Sequence, residues 1–295
     1  MEDEDQPPQV RELLKMSYPD FLAKIAAERN SIVCFGMDPV SGKIPLKGND
    51  TEKKIVKFYS EILSAVANKI AAVKPNYAFF AQYGFPGLKA MEQVIAAAKK
   101  KKLPVILDAK RGDIGKSSEA YSKEVFNVWK ADAVTVSPYM GSDSVMPFIS
   151  YCSSGKGVYV LVRTSNPGAN DLQRLGTETG RKLFMETAAK VAEWHKPGVG
   201  AVVGAINTAE LEKIAKFFAA SGKKVPLLIP GVGSQGGSAA AVAAVLRKTY
   251  ADISIHRLNS SSGISYAYEE SGGKDYANAA SKAVDKLNRE IGKVA

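Results

Sequence analysis

Acidic and basic side chains follow a short apolar stretch in the first half of the sequence. Residues 105–107 read Val-Ile-Leu, a run typical of a buried parallel strand. The run ends in charge at Asp108, Lys110 and Asp113. Because side chains alternate along a strand, Asp108 and Lys110 are predicted to point to the same side. Carboxylates and an ammonium at one strand end can transfer protons and stabilise developing charge.

Two interpretations of these three charges stay open on the residues alone. In one, they form a salt bridge at the end of the strand, and Asp113 caps a helix predicted over residues 114–129. In the other, they form a site. The order Asp-x-Lys-x-x-Asp, followed by Ile-Gly and a hydroxyl residue, is more specific than an arbitrary charged trio, and it favours the site.

Apolar strands alternate with amphipathic helices along the chain. The predicted strands cover residues 32–37, 71–73, 105–107, 133–136, 158–162, 201–203, 226–229 and 253–258. The predicted helices cover residues 17–29, 52–68, 86–101, 114–129, 177–194, 209–220, 239–250 and 276–291. The first of these is expected to plug or flank a barrel.

Eight strands joined through helices in about 260 residues predict a parallel sheet closed into a (β/α)8 TIM barrel. We expect a single barrel domain over residues 13–295, after a disordered acidic tail over residues 1–12. A doubly wound open sheet is the alternative, but its usual Gly-x-Gly-x-x-Gly does not follow the first strand.

The C-terminal ends of barrel strands carry the chemistry in this architecture. Asp38 and Lys74 stand at the ends of the first two strands. Glycine- and hydroxyl-rich loops follow the last two strands, at residues 231–237 and 260–263. Loops at these positions commonly hold a phosphate through backbone N–H groups, so we expect a phosphate site there, with Gln235 as a further donor.

The overall composition fits a globular protein with an ample core. Of the 295 residues 45% are hydrophobic, and no apolar run approaches the ~20 residues of a membrane span. The acidic N-terminus is unlike a signal peptide. Only Cys34 and Cys152 occur, which predicts a reducing compartment, the cytoplasm. A net charge of +10 allows nucleic-acid binding, but no basic run is interleaved with aromatic residues, so we expect a solvated surface that attracts anionic substrates.

The Asp-x-Lys-x-x-Asp motif, with Gly-Met-Asp-Pro at residues 36–39 and Ser-Gly-Ile at residues 262–264, resembles the longer bacterial-type branch of orotidine 5'-phosphate decarboxylase. The resemblance covers nearly the whole barrel. It implies decarboxylation of orotidine 5'-phosphate to UMP, the last step of de novo pyrimidine nucleotide synthesis, by a homodimer that uses no cofactor. No metal site is evident in the sequence, since His195 and His256 belong to no ligand motif.

The resemblance also implies roles for individual residues. Lys74, Asp108, Lys110 and Asp113 are the expected catalytic residues, a cluster with no net charge. Asp108 faces the departing carboxylate, and Lys110 protonates the carbanion. The other expected contacts to substrate come from Asp38 and Lys74 to ribose, Ser165 to pyrimidine, Gln235, Gly236, Ser262 and Gly263 around the phosphate, and Asp113, Ile114 and Ser117 reaching into the partner's site.

One position departs from the family pattern. The family usually has an arginine where this chain has Ser262, and that arginine binds the phosphate. A hydroxyl in place of a bidentate guanidinium should weaken phosphate binding unless another group compensates. Arg163 and Arg257 are candidates, although strand alternation does not show either one reaching the loop.

Two other functions stay open. A related barrel enzyme, a sugar-phosphate decarboxylase or aldolase, has the same motif but an acidic metal ligand at the end of the second strand, where this chain has Lys74. A nucleotide-binding barrel without catalysis would explain the missing arginine. It would not explain Asp108 placed against an anionic ligand.

Overall fold

Eight parallel strands form a nearly closed barrel in the computed structural model, which describes residues 16–233, 236–272 and 275–294. The strands are β1 Val33–Met37, β2 Ala72–Pro75, β3 Ile106–Arg111, β4 Ala133–Val136, β5 Gly157–Arg163, β6 Val199–Val203, β7 Leu227–Pro230 and β8 Arg257–Ser260. They are hydrogen-bonded in the order β2-β1-β8-β7-β6-β5-β4-β3, and two isolated bridges, Val73 to Val105 and Asn76 to Asp108, connect β2 with β3. The predicted TIM barrel is confirmed; the predicted tail over residues 1–12 lies outside the described residues.

Helices alternate with the strands around the barrel. Their bounds are α1 Tyr18–Arg29, α2 Thr51–Val66, α3 Tyr77–Ala81, α4 Gly84–Lys100, α5 Gly115–Lys123, α6 Ser142–Ile149, α7 Asn170–Gln173, α8 Leu183–Glu193, α9 Thr208–Ala220, α10 Ala239–Thr249, α11 Ser262–Ser265, α12 Ala267–Ser271 and α13 Tyr276–Ile291. Short 3₁₀ turns cover Ser41–Lys43, Ser150–Ser154 and Pro167–Ala169, and a π-helical turn, Glu124–Val128, continues α5. In the described part of the chain no helix is both long enough and apolar enough to span a bilayer.

Several elements differ from the sequence-based prediction, three of them as follows. β8 begins at Arg257 because Asp252 accepts a hydrogen bond from the Ser254 backbone N–H at 2.8 Å, which turns the preceding residues. The helix predicted from residue 177 begins at Leu183 instead, after a turn closed by the Thr177 N–H and the Arg181 carbonyl at 2.9 Å. Helix α6, which follows β4, was not predicted.

Helix α1 plugs the N-terminal end of the barrel, which is one of the two placements predicted for it. Tyr18 and Leu22 are fully buried in a cluster with interior side chains from six strands and Tyr159 of β5. The Tyr18 hydroxyl donates to the Tyr159 hydroxyl at 3.4 Å. The buried guanidinium of Arg257 donates to the Leu22 carbonyl at 2.7 Å, so β8 also holds the helix in place.

The two histidines differ in their surroundings. His256 is fully buried just before β8, where its Nδ1 accepts from the Leu227 N–H at 3.1 Å. Burial lowers the pKa of His256 to about 3, so the ring is neutral at physiological pH. His195 Nε2 lies 3.3 Å from the Lys224 carbonyl on the surface.

Candidate active site

A cavity of about 670 Å³ opens at the C-terminal ends of the strands. Polar side chains from neighbouring strands converge on it, since the ends of parallel strands meet at one rim. These side chains include Asp38 after β1, Lys74 of β2, Asp108 and Lys110 of β3, Thr135 of β4 and Asn259 of β8.

Asp108 is the centre of the polar network in this cavity. Its Oδ2 accepts a hydrogen bond from Lys74 Nζ at 2.6 Å. Its Oδ1 accepts from Lys110 Nζ at 2.7 Å and from the Thr135 hydroxyl at 2.9 Å. Three donors therefore fix the carboxylate plane, two of them charged, which makes these bonds stronger than neutral ones.

The two lysines differ in their access to solvent. The Lys74 side chain is 4% exposed, whereas the Lys110 side chain is 50% exposed. Lys110 has a φ of 45°, a left-handed conformation that is uncommon for a residue with a Cβ. Lys74 is thus a buried counter-ion of Asp108, and Lys110 is a counter-ion that also reaches the open cavity.

The pKa values follow from this pairing. Burial alone would raise the pKa of Asp108, but Lys74 and Lys110 outweigh it and hold the pKa well below the usual value. Burial alone would lower the pKa of Lys74, but the charges of Asp108 and Asp38 raise it above the usual value. At neutral pH the carboxylate and the buried ammonium are both charged.

Two further oxygen atoms at the cavity are buried and have no hydrogen-bond partner among the described residues. They are Asp38 Oδ1 and Asn259 Oδ1. Gly36 leaves room beside Asn259 Oδ1, because a Cβ added there would lie 3.1 Å from this oxygen and 1.9 Å from Ser261 Oγ. Buried acceptors without a donor are costly, so these oxygens fit a ligand that brings hydroxyl donors.

Asp113 does not join the cluster in which the sequence analysis placed it. It is half-buried, lies outside the cavity lining, and accepts a hydrogen bond only from the N–H of its neighbour Ile114, at 2.8 Å, among the described residues. It also does not cap α5, whose N-cap residue is Ile114. Within one chain, the charge-balanced set at the cavity is Asp38, Lys74, Asp108 and Lys110. Ile114 and Ser117 are both exposed.

The opposite end of the cavity is formed by the loops after β5, β7 and β8. Ser165 and Ser262 line it, together with the backbone of Gly231. Gly236 and Gly263 lie outside the lining, and Gln235 lies outside the described residues.

Neither arginine that could replace the missing one reaches this end. The guanidinium of Arg163 donates to Glu210, Asn170 and Gln173 and to the Thr164 carbonyl. Within the described ranges, the guanidinium of Arg257 donates only to backbone carbonyls near the plug helix. Among the described residues, Lys74 and Lys110 are the only basic side chains that line the cavity, and both bind Asp108.

Sequence reasoning missed several polar residues of the cavity lining, among them Thr135 and Asn259. Both lie in buried strands: Thr135 stands in Ala-Val-Thr-Val of β4, and Asn259 follows Leu258 in β8. A polar side chain inside a buried strand is a signal that could have identified each of them, since such a group requires a partner.

Comparisons with known proteins match most of the chain. A family model described as "Orotidine 5'-phosphate decarboxylase / HUMPS family" matches residues 32–272. The orotidine 5'-phosphate decarboxylase of Verminephrobacter eiseniae is 40% identical over 270 residues, 90% of this chain and 94% of that protein. The structure of Leishmania donovani OMP decarboxylase is 32% identical with a TM-score of 0.75, covering 94% of this chain and 99% of that one. Leishmania donovani UMP synthase is 34% identical with a TM-score of 0.76, covering 94% of this chain and 57% of that longer one.

Proposed function

The chain belongs to the orotidine 5'-phosphate decarboxylase / HUMPS family, and from this premise we propose that it converts orotidine 5'-phosphate to UMP and CO2 without a metal or cofactor. One observation carries the proposal. Asp108 is a buried, ionised carboxylate held between two ammonium groups at the cavity where a substrate would bind.

In the proposed reaction, Asp108 destabilises the substrate carboxylate, and Lys110 stabilises and protonates the carbanion that remains. A substrate carboxylate placed beside Asp108 is repelled by it, and the repulsion ends when the carboxylate leaves as CO2. The bond from the carboxyl carbon to the pyrimidine ring breaks, and its electron pair stays on the ring carbon. Lys110 Nζ stabilises this carbanion and gives it a proton; the neutral amine then takes a proton from solvent, which its half-exposed side chain contacts.

Repulsion is the smaller part of the proposed catalysis. Enzymes typically lower barriers by ~8–23 kcal/mol, more than repulsion between two carboxylates supplies. The larger part is the interaction of the Lys110 ammonium with a carbanion that exists only late in the reaction. Because Asp108 already orients Lys110 before substrate binds, little reorganisation accompanies the charge shift. Binding of the distant phosphate offsets the unfavourable contact at the carboxylate.

We propose that the ribose, the pyrimidine and the phosphate of the substrate each contact a different part of the cavity. Ribose hydroxyls donate to the unpartnered oxygens of Asp38 and Asn259, near Lys74. Ser165 binds the pyrimidine. The phosphate lies against Ser262, beside Gly263, and against the Gly231 backbone in the loop that contains Gln235 and Gly236. Helix α10 begins just after this loop, and its N-terminus favours an anion.

We also propose that two copies of the chain form a homodimer in which Asp113, Ile114 and Ser117 complete the partner's site. Support comes from their position outside their own cavity and from the apolar surface beside them. Ile114 is 52% exposed and Tyr139, after β4, is 81% exposed. Large exposed apolar residues on neighbouring loops are typical of an interface. We place this UMP-forming dimer in the cytoplasm and infer no membrane or nucleic-acid partner.

Loss of orotidine 5'-phosphate absorbance, with and without a chelator, tests the proposed reaction. We expect the protein to turn over orotidine 5'-phosphate at a rate that the chelator leaves unchanged. Lys110→Ala should abolish this turnover while circular dichroism shows an intact fold. Lys100→Ala is the matched control, because it removes an exposed ammonium at the end of α4. Substantial turnover by Lys110→Ala would refute its role as proton donor. Inhibition by the chelator would favour the metal-dependent sugar-phosphate chemistry, and no turnover at all by the unmodified protein would favour a binding function.

A further inference from the structure

Thr135 connects the two residues of β3 that the proposed reaction depends on. Its side chain is buried, with 1% of the residue exposed, and it points into the cavity from β4. The hydroxyl donates to Asp108 Oδ1 at 2.9 Å. The same oxygen accepts a hydrogen bond from the backbone N–H of Lys110 at 3.0 Å. One hydroxyl therefore binds both the carboxylate and the backbone of the lysine that pairs with it.

The backbone contact lies where the β3–β4 ladder is interrupted. Ile106 and Leu107 pair in register with Ala133 and Val134, the register then shifts, and pairing resumes at Arg111 with Val136. Such a bulge leaves backbone groups without their usual strand partner. The Thr135 hydroxyl takes the place of a strand acceptor for the Lys110 N–H inside this bulge.

The left-handed conformation of Lys110 explains why such a contact is needed. Its φ of 45° is unfavourable for a residue with a Cβ, so surrounding contacts must hold it. On a regular strand the ammonium would leave the sheet in a direction set by alternation alone. In the bulge, its direction depends on the turned backbone and on Asp108, and Thr135 bonds to both.

We propose that Thr135 is a positioning residue that sets where the Lys110 ammonium stands relative to the reacting carbon. It acts through Asp108 and Lys110. The inference rests on the proposed function for its kinetic consequence, but its geometric consequence can be observed without any reaction.

Thr135→Val keeps the shape of the side chain and replaces the hydroxyl with a methyl group, so it tests the proposal directly. We expect kcat for orotidine 5'-phosphate to fall about ten- to a hundredfold, because displacement of a catalytic group by about 1 Å has effects of this size. KM should change less than about threefold, since the substrate-binding groups remain. Thr135→Ser, which restores the hydroxyl, should recover kcat to within about threefold of the original.

A residue that merely fills the strand would give the opposite pattern, in which Val is tolerated and the smaller Ser is the worse variant. Thr187→Val is the matched control, because the Thr187 hydroxyl bonds, in the part of the chain that the structure describes, only the Leu183 carbonyl of its own helix. If Thr135→Val does not fold, Thr135→Ala replaces it, with the same expectation for kcat. Wild-type kcat in any folded variant without the hydroxyl would overturn the proposal.

A crystal structure of the hydroxyl-free variant separates this inference from the proposed function. We expect Lys110 to leave the left-handed conformation or its Nζ to lose contact with Asp108 Oδ1. Unchanged geometry of both residues would overturn the inference even if the protein proves to be an active decarboxylase. Changed geometry would support it even if the substrate proves to be different.

Discussion

At the scale of single residues, the site is centred on one buried carboxylate that accepts three hydrogen bonds. Burying a charge is costly unless it is paired and hydrogen-bonded, and Asp108 has two ammonium groups and a hydroxyl. These three donors keep the carboxylate ionised and immobile. A pocket of this kind is well suited to a reaction in which one anionic group must be destabilised and another stabilised.

The end of the cavity where we place the phosphate has no such charged donors. Among the described residues no arginine lines the cavity, and both lysines of the lining bind Asp108. We therefore expect Ser262→Arg to tighten UMP binding by about tenfold, or ~1.4 kcal/mol, through a new charge-assisted contact. Isothermal titration calorimetry with UMP and with uridine measures the effect. The gain should be confined to UMP, since uridine lacks the phosphate.

Ser262→Gln is the control for this substitution, because it adds length and hydrogen-bonding capacity without charge. An equal gain with Gln would show that size, not charge, is responsible. Unchanged or weaker UMP binding by the Arg variant would mean that position 262 does not face the phosphate or that another group already compensates.

At the scale of elements, α1 belongs to the barrel core although it precedes the first strand. Tyr18 packs against the start of β5, and Arg257 at the start of β8 binds the Leu22 carbonyl. The two ends of the barrel interior therefore differ: mainly apolar and aromatic side chains, with the Arg257 guanidinium, fill the plugged end, and the network around Asp108 lies at the open end. Strain introduced at the plug should affect folding stability more than chemistry.

Gly157→Ala tests this arrangement. A Cβ at Gly157 would lie 2.4–2.7 Å from atoms of the Tyr18 ring, so the plug must shift. We expect the free energy of unfolding to fall by about 1–3 kcal/mol, as for other overpacked cores, with kcat nearly unchanged. Urea unfolding followed by circular dichroism measures the change.

Gly42→Ala is the matched control, because a Cβ there meets no atom within 4 Å. It should leave the unfolding midpoint almost unaltered. Equal midpoints for the two alanine variants would show that Tyr18 does not pack on β5 as described.

At the scale of the whole molecule, the proposed dimer makes each site depend on two chains. The separation of Asp113 from its own cavity suggests a test by mixing. Lys110→Ala and Asp113→Ala are each expected to be nearly inactive alone. In a hybrid dimer, one site would carry both substitutions and the other neither, so random mixing should restore about a quarter of the original activity.

Co-expression of the two variants, followed by the absorbance assay, measures the recovery. Analytical ultracentrifugation of the unmodified protein provides the oligomeric state. A monomeric protein, or mixed chains no more active than the sum of the two separate variants, would contradict a shared site.

The sequence by itself determined the alternation of strands and helices and hence the barrel, because burial on both faces of a parallel strand leaves an unmistakable apolar run. It also determined which strand end carries Asp108 and Lys110, since they follow such a run directly. Only the tertiary structure decided what surrounds them. Contacts between residues far apart in the chain, such as Thr135 with Asp108, and the bulge that turns Lys110, depend on the register between neighbouring strands, which local sequence does not encode. The tertiary structure likewise separates Asp113 from the cluster: it is close to Lys110 in the chain, but its side chain lies outside the cavity lining.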